Sequence, residues 1–144
     1  MVNISETQQT IVFQLENEFY GVDIFRVNEI IRLREITPIP GTEAHIRGLV
    51  NLRGKTIPVI DLKARFGMGS CAEAASTRII VLDSDDGNVG ILVDAVREVL
   101  TLATDDIEQA PALVTDLDNE FVRGVAKSAN TLITLLNIDQ ALAA

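Results

Sequence analysis

Arg47-Gly48-Leu49-Val50-Asn51-Leu52-Arg53-Gly54-Lys55-Thr56-Ile57-Pro58-Val59-Ile60-Asp61-Leu62 reads as a β-hairpin. Two runs rich in branched apolar residues flank Arg53-Gly54-Lys55, and the second run stops at an aspartate. Gly54 takes positive φ at a turn at no steric cost. Pro58 cannot donate to a strand ladder, so it marks an edge or a bulge. The tip of this hairpin presents two basic side chains.

The rest of the chain supports a β-rich reading. Its 144 residues suffice for one domain with a real core. Apolar residues make up 47%, aromatics only 4%, and tryptophan is absent, so the core is expected to be aliphatic. Valine and isoleucine favour strands. A net charge of −9 repels nucleic acid and anionic lipid. The one cysteine, Cys71, permits no intramolecular disulfide, as fits a reducing compartment. Residues 1–7 lack the basic and apolar blocks of a signal peptide. No apolar run approaches the ~20 residues of a membrane helix. We therefore expect a cytoplasmic protein with no direct membrane insertion.

The sequence repeats itself. A shift of 69 residues carries Tyr20–Ile31 onto Val89–Leu100 and Ile11-Val12-Phe13 onto Ile80-Val81-Leu82. A shift of 76 carries Arg47-Gly48-Leu49 onto Arg123-Gly124-Val125, and Ile57, Val59, Ile60 and Leu62 onto Ile133, Leu135, Leu136 and Ile138. This predicts a duplication with half-repeats at about residues 10–66 and 78–142. Each half reads as strand, turn, strand, linker, glycine and hairpin. Opening strands are expected at Thr10–Leu15 and Arg78–Leu82, with turns at Glu16-Asn17-Glu18 and Asp83–Asn88. Second strands follow at Gly21–Ile24 and Gly90–Val93. Val27–Arg32 and Val96–Leu100 fit neither the strand nor the helix period cleanly. A helical turn is expected at Thr42–Ile46. Short helices are expected after Asp61 and Asn137, both acceptable N-caps. Ala72–Ser76 reads as the surface loop between halves. Short strands at regular spacing point to small barrels.

Reaction chemistry finds little footing. A phosphate loop ending in Gly54-Lys55-Thr56 needs glycine where Leu49 stands, and a following helix. Asp83-Ser84-Asp85-Asp86-Gly87-Asn88 fails as a calcium loop, since Gly87 occupies a ligand position and Asp94 stands where glutamate is required. One histidine, His45, and one cysteine cannot assemble the usual zinc site, and nothing orients them as a nucleophilic pair. Glu29 and Glu98 correspond across the duplication. Each has an arginine nearby, Arg32 and Arg97 respectively, so ion pairing on a sheet face is expected rather than a two-carboxylate site.

The halves differ most at the hairpin tip. Arg53 has Ala129 as its counterpart, Lys55 has Thr131, and Asn51 has Lys127. On an acidic chain a basic tip reads either as an attachment point, or as a solvated turn or an Arg53–Glu29 ion pair that holds the fold.

The hairpin, together with Tyr20-Gly21-Val22-Asp23-Ile24, resembles the CheW family of chemotaxis coupling proteins over nearly the whole chain. The resemblance implies a mainly β fold of two small five-stranded SH3-like barrels sharing a hydrophobic core. It implies a non-enzymatic scaffold without cofactor, recruited to receptor arrays. Its partners would be the regulatory domain of a CheA-type histidine kinase and the cytoplasmic signalling tip of methyl-accepting chemoreceptors. Carried onto matching positions, receptor contact falls to Val27, Glu29, Arg53, Val96, Val99 and Gly124. Kinase contact falls to Gly48, Leu49, Val50, Asn51 and Leu52. The valines could equally be core. Two departures stand out: Lys127-Ser128-Ala129-Asn130 replaces a common Gly-Asp turn, and Asn137 replaces a frequent aspartate. The alternatives are a coupling protein of another chemosensory system, such as type IV pilus motility, or a small-ligand-binding β-barrel.

Overall fold

The computed structural model describes residues 6–85, 87–108 and 119–142; Asp86, part of the expected Asp83–Asn88 turn, lies outside them. The first half supplies β1 (Thr7–Leu15), β2 (Glu18–Asp23), β3 (Val27–Arg32), β4 (Ile46–Leu52), β5 (Lys55–Asp61) and the short helix α1 (Leu62–Arg65). The second supplies β6 (Arg78–Ser84), β7 (Gly87–Val93), β8 (Ala95–Ala103), β9 (Ile107–Glu108), β10 (Val122–Ser128), β11 (Thr131–Leu136) and α2 (Ile138–Leu142). The two segments of ambiguous period are strands, because β3 pairs along β6 and β8 along β1. Thr42–Ile46 forms a turn and not a helix: Ile46 N–H donates to Glu43 O at 3.0 Å, and Asp61 N–H claims the carbonyl of His45 at 2.8 Å. The expected helices follow Asp61 and Asn137; the Asp61 carboxylate caps α1 by accepting from Ala64 N–H at 3.3 Å.

The strands form two sheets, in the orders β8-β1-β2-β11-β10-β9 and β3-β6-β7-β5-β4. Neither sheet belongs to one half of the sequence. β5 of the first half runs parallel to β7, and β11 of the second runs parallel to β2. The register repeats under the two sequence shifts. Val59 lies opposite Gly90 as Leu135 lies opposite Gly21. The bulge between Val27 and Glu29, facing Leu82 and Val81, has its double between Val96 and Glu98, facing Phe13 and Val12. A second bulge, at Arg47, has its double at Arg123. Paired residues this far apart in sequence keep the same irregularities because a bulge re-aims the strand and so sets how each sheet bends.

Burial on both faces explains the unbroken apolar runs. In Ile79-Ile80-Val81-Leu82, Ile80 and Leu82 join a cluster with Ile11, Phe13, Leu15, Tyr20 and Val22 of the other sheet, so the two sheets share a core. Ile79 and Val81 face the opposite way and pack with Ile31, Val50, Leu52, Ile57, Val59 and Leu92. The other sheet has its own inner cluster of Val12, Leu102, Ala126, Ile133 and Leu135. Side chains alternate between faces along a strand, so such a run fills two cores at once.

The five-stranded sheet ends at β3 and β4, and the chain beyond β3 returns to β4. Thr37 and Leu49 exchange two hydrogen bonds of 2.8 Å. Gly48, with φ of 146°, permits this approach; a Cβ there would lie 2.2 Å from Thr37 O. The 76-residue shift takes Leu49 to Val125, which pairs with Glu108 of β9. The single bridge of one sheet is thus a two-residue strand in the other, which therefore has six strands where five were expected.

Candidate interaction surfaces

Glu29 follows the β3 bulge and shares the face of Ile31, turned toward the β4–β5 turn. That turn is Arg53-Gly54, both at positive φ, 51° and 81°, and Lys55 already belongs to β5. Left-handed φ at both positions is the signature of a two-residue hairpin turn whose twist matches its strands. Asn51 Oδ1 accepts from Gly54 N–H at 3.0 Å and fixes the turn. The conformation aims Arg53 at Glu29. Both terminal nitrogens of the guanidinium donate to the carboxylate, Nη2 to Oε1 at 3.0 Å and Nη1 to Oε2. Arg34 Nη1 adds a bond to Asn51 O at 3.2 Å. The hydrogen bond and charge of Glu29 raise the Arg53 pKa further. The Arg53 side chain is still 74% exposed, so the pair remains available at the surface.

The expected ion pairing of Glu29 with Arg32 and of Glu98 with Arg97 is not found among the described residues. Odd spacing along a strand sends side chains to opposite faces. The partner of Glu29 is Arg53, from another strand pair.

Of the remaining receptor candidates, Val27 and Val96 are half-buried and both pack against the shared core. Val99 is 51% exposed. Its counterpart Ile30 is also exposed and was not singled out from sequence. Gly124 lies beneath β9, where a Cβ would meet Ile107 Cγ2 at 2.8 Å and Glu108 O at 3.0 Å. Val27, Glu29 and Arg53 belong to the five-stranded sheet, and Val96, Val99 and Gly124 to the six-stranded one. Among the kinase candidates, Val50 and Leu52 are core residues, Asn51 is exposed, and Gly48 and Leu49 receive the returning segment at Thr37. Phe25, 84% exposed in the 3-10 turn Ile24–Arg26 that links the sheets, also escaped sequence reasoning. An aromatic in an apolar-rich stretch carries no local sign that it will face solvent.

A polar network joins the sheets beside α1. Asp61, 1% exposed, pairs with Arg47 at 2.8 Å and accepts from Cys71 N–H at 2.9 Å. Lys63 lies 3.5 Å from Asp94 and 3.6 Å from Glu16, whose N–H donates to Asp94 at 2.6 Å. Cys71 Sγ donates to Asp94 Oδ1 at 3.2 Å. Burial first, then that hydrogen bond and the charge of Asp94, push the thiol up to about 12. The nucleophilic form of cysteine is the thiolate, so Cys71 is a structural thiol at neutral pH. His45 instead lies 3.5 Å from Glu43. Among the described residues no group of three His, Cys, Asp or Glu side chains is arranged to hold a metal. No helix among them is long and apolar enough to cross a membrane.

Two intertwined β-sheets with a shared core, one of them carrying a surface ion pair between its hairpin tip and its edge strand β3, define a β-rich scaffold. The family model of the CheW-like domain matches residues 9–144, and the chain belongs to that family. The chemotaxis protein CheW of Klebsiella aerogenes is 36% identical over 135 residues, covering 94% of this chain and 81% of its own. That of Rhizobium meliloti is 34% identical over 132 residues, covering 92% and 85%. The crystal structure of the scaffolding protein TtCheW from Thermoanaerobacter tengcongensis superposes with a TM-score of 0.89 at 39% identity, covering 100% of this chain and 93% of that one.

Proposed function

We infer that this protein is a non-enzymatic chemotaxis scaffold that couples chemoreceptors to a CheA-type histidine kinase. The match of the CheW-like family model to residues 9–144 carries this reading. Residues 1–144 act as one CheW-like domain with half-repeats at about 10–66 and 78–142. The protein works in the cytoplasm and is recruited to membrane-bound receptor arrays. Receptor contact draws on Val27, Glu29, Arg53, Val96, Val99 and Gly124, for which the exposure of Arg53 and Val99 is the physical support. A receptor tip is helical, and an apolar strip flanked by charges accepts a helix. Kinase contact draws on the β4 segment Gly48–Leu52. Its buried members Val50 and Leu52 act by holding Asn51 and the backbone in place. Coupling arises because two interfaces with unequal affinity for kinase conformations bias their equilibrium. The relatives' chemotaxis names favour this reading over type IV pilus motility.

The test mixes the purified protein with a CheA-type kinase and receptor signalling fragments and follows kinase autophosphorylation. Receptor-dependent activation that requires the protein is expected. A folded protein without effect on any kinase of the same cell would overturn the reading.

A further inference from the structure

Arg32 of β3 lies directly opposite Arg78 of β6. Directly opposed side chains on an antiparallel pair stand close on one face, where like charges destabilise the sheet. The chain has 21 acidic residues against 12 lysines and arginines, yet among the described residues neither arginine meets a carboxylate. Arg78 Nη1 donates to the carbonyls of Ala75 and Thr77, at 2.8 and 2.9 Å, which holds its guanidinium in place without neutralising it. Arg32 is exposed.

The fold does not require this pair. The 69-residue shift maps Arg32 and Arg78 onto Thr101 and Gln9, which face each other in the six-stranded sheet as a neutral pair. The same register serves both sheets, and only one carries the opposed charges.

The two arginines border a cleft of about 470 Å³, lined also by Leu33, Ala74, Ala75 and Thr77. Its alanine wall comes from the loop between the half-repeats. Pockets of this size accept small organic ligands, and paired guanidinium forks match the oxygens of phosphate or carboxylate. We propose that this cleft binds a small organic anion, its phosphate or carboxylate group held between Arg32 and Arg78 and a compact apolar body against Leu33, Ala74 and Ala75. The ligand offsets the repulsion that the native chain otherwise retains. This site is separate from the Glu29–Arg53 pair, and its test is independent of the coupling role.

Inorganic phosphate, phenyl phosphate and benzoate would be titrated into the isotope-labelled protein at matched ionic strength, with amide NMR shifts as the readout. Saturable shifts at Leu33, Ala75, Thr77 and Arg78 are expected with at least one organic probe, and whichever binds more tightly identifies the headgroup. Arg32→Gln should weaken that binding about tenfold or more, on the scale of losing a charge-assisted bidentate contact. Arg97→Gln, an exposed change on β8, should leave it unaltered. The spectra also report whether each variant folds. Absence of saturable shifts, equal weakening in both variants, or organic probes binding no better than inorganic phosphate would overturn the proposal.

Discussion

Arg53 and Glu29 meet through both ends of the guanidinium and both oxygens of the carboxylate, across the open edge of the five-stranded sheet. The pair joins the tip of one hairpin to the bulged strand β3, and it has no double in the other sheet, where Ala129 replaces the arginine. Reversing one charge removes both bonds and sets two carboxylates face to face. Exposed substitutions away from the core change stability little. Arg53→Glu is therefore expected to abolish most receptor-dependent kinase activation while barely moving the thermal midpoint. The double exchange of Glu29→Arg with Arg53→Glu restores the pairing. If the pair only holds the fold, the double variant recovers activity; if Arg53 touches a partner, it does not. Unfolding of the single variant would show instead that the pair is needed for the fold.

Gly48 and Gly124 correspond by sequence but are constrained to different degrees. At Gly48 a Cβ would sit 2.2 Å from a backbone oxygen in a left-handed conformation, whereas at Gly124 the first contact is the movable Ile107 side chain at 2.8 Å. Gly48→Ala is expected to cost about 3 kcal/mol or more, the scale of strain and overpacking combined. Gly124→Ala should cost about 1–2 kcal/mol. Urea unfolding monitored by circular dichroism gives both values, and the order Gly48 above Gly124 is the critical outcome.

The second hairpin turn, Ala129-Asn130, holds both residues at positive φ, 47° and 69°. Alanine pays a steric penalty there, whereas asparagine enters this region readily. Ala129→Asn is expected to raise stability by about 0.5–1 kcal/mol, measured as a higher urea midpoint at unchanged slope.

The Cys71 proton gives a pH dependence. Its pKa is raised from an ordinary 9.0 to about 12 in the folded chain, so the native state holds the proton more tightly than the unfolded state does. Its stabilising contribution is whole below about pH 9 and declines as pH rises toward 12. Between pH 8 and 10.5 the thermal midpoint of the native chain should fall more steeply than that of Cys71→Ala. Equal slopes would mean that the thiol contributes no pH dependence.

Much of the local architecture was legible. Gly54 marked the first hairpin, the Asp61 and Asn137 caps marked both helices, and the two shifts anticipated that β6–β7 repeats β1–β2 and β10–β11 repeats β4–β5, though not the matching bulges at Val27–Glu29 and Val96–Glu98. Each is written within a few residues: a backbone that needs left-handed φ, a carboxylate within reach of a free amide, a repeated apolar pattern. Two partners for Glu29 were legible, Arg53 at the hairpin tip and Arg32 on its own strand; the structure has Arg53, and Arg32 was the wrong one because neighbours at odd spacing point apart on a strand.

What the chain by itself determined, then, is its strand-forming composition, its turns and caps, and the pairing of each hairpin. The tertiary structure alone decided that β5 joins β7 and β11 joins β2, that Ile79 and Ile80 enter different cores, that Phe25 faces solvent, and that Arg32 confronts Arg78. The physical reason is the range of the contacts. A period of two says which residues share a face, but which strand lies alongside, and what covers that face, depends on residues dozens of positions away.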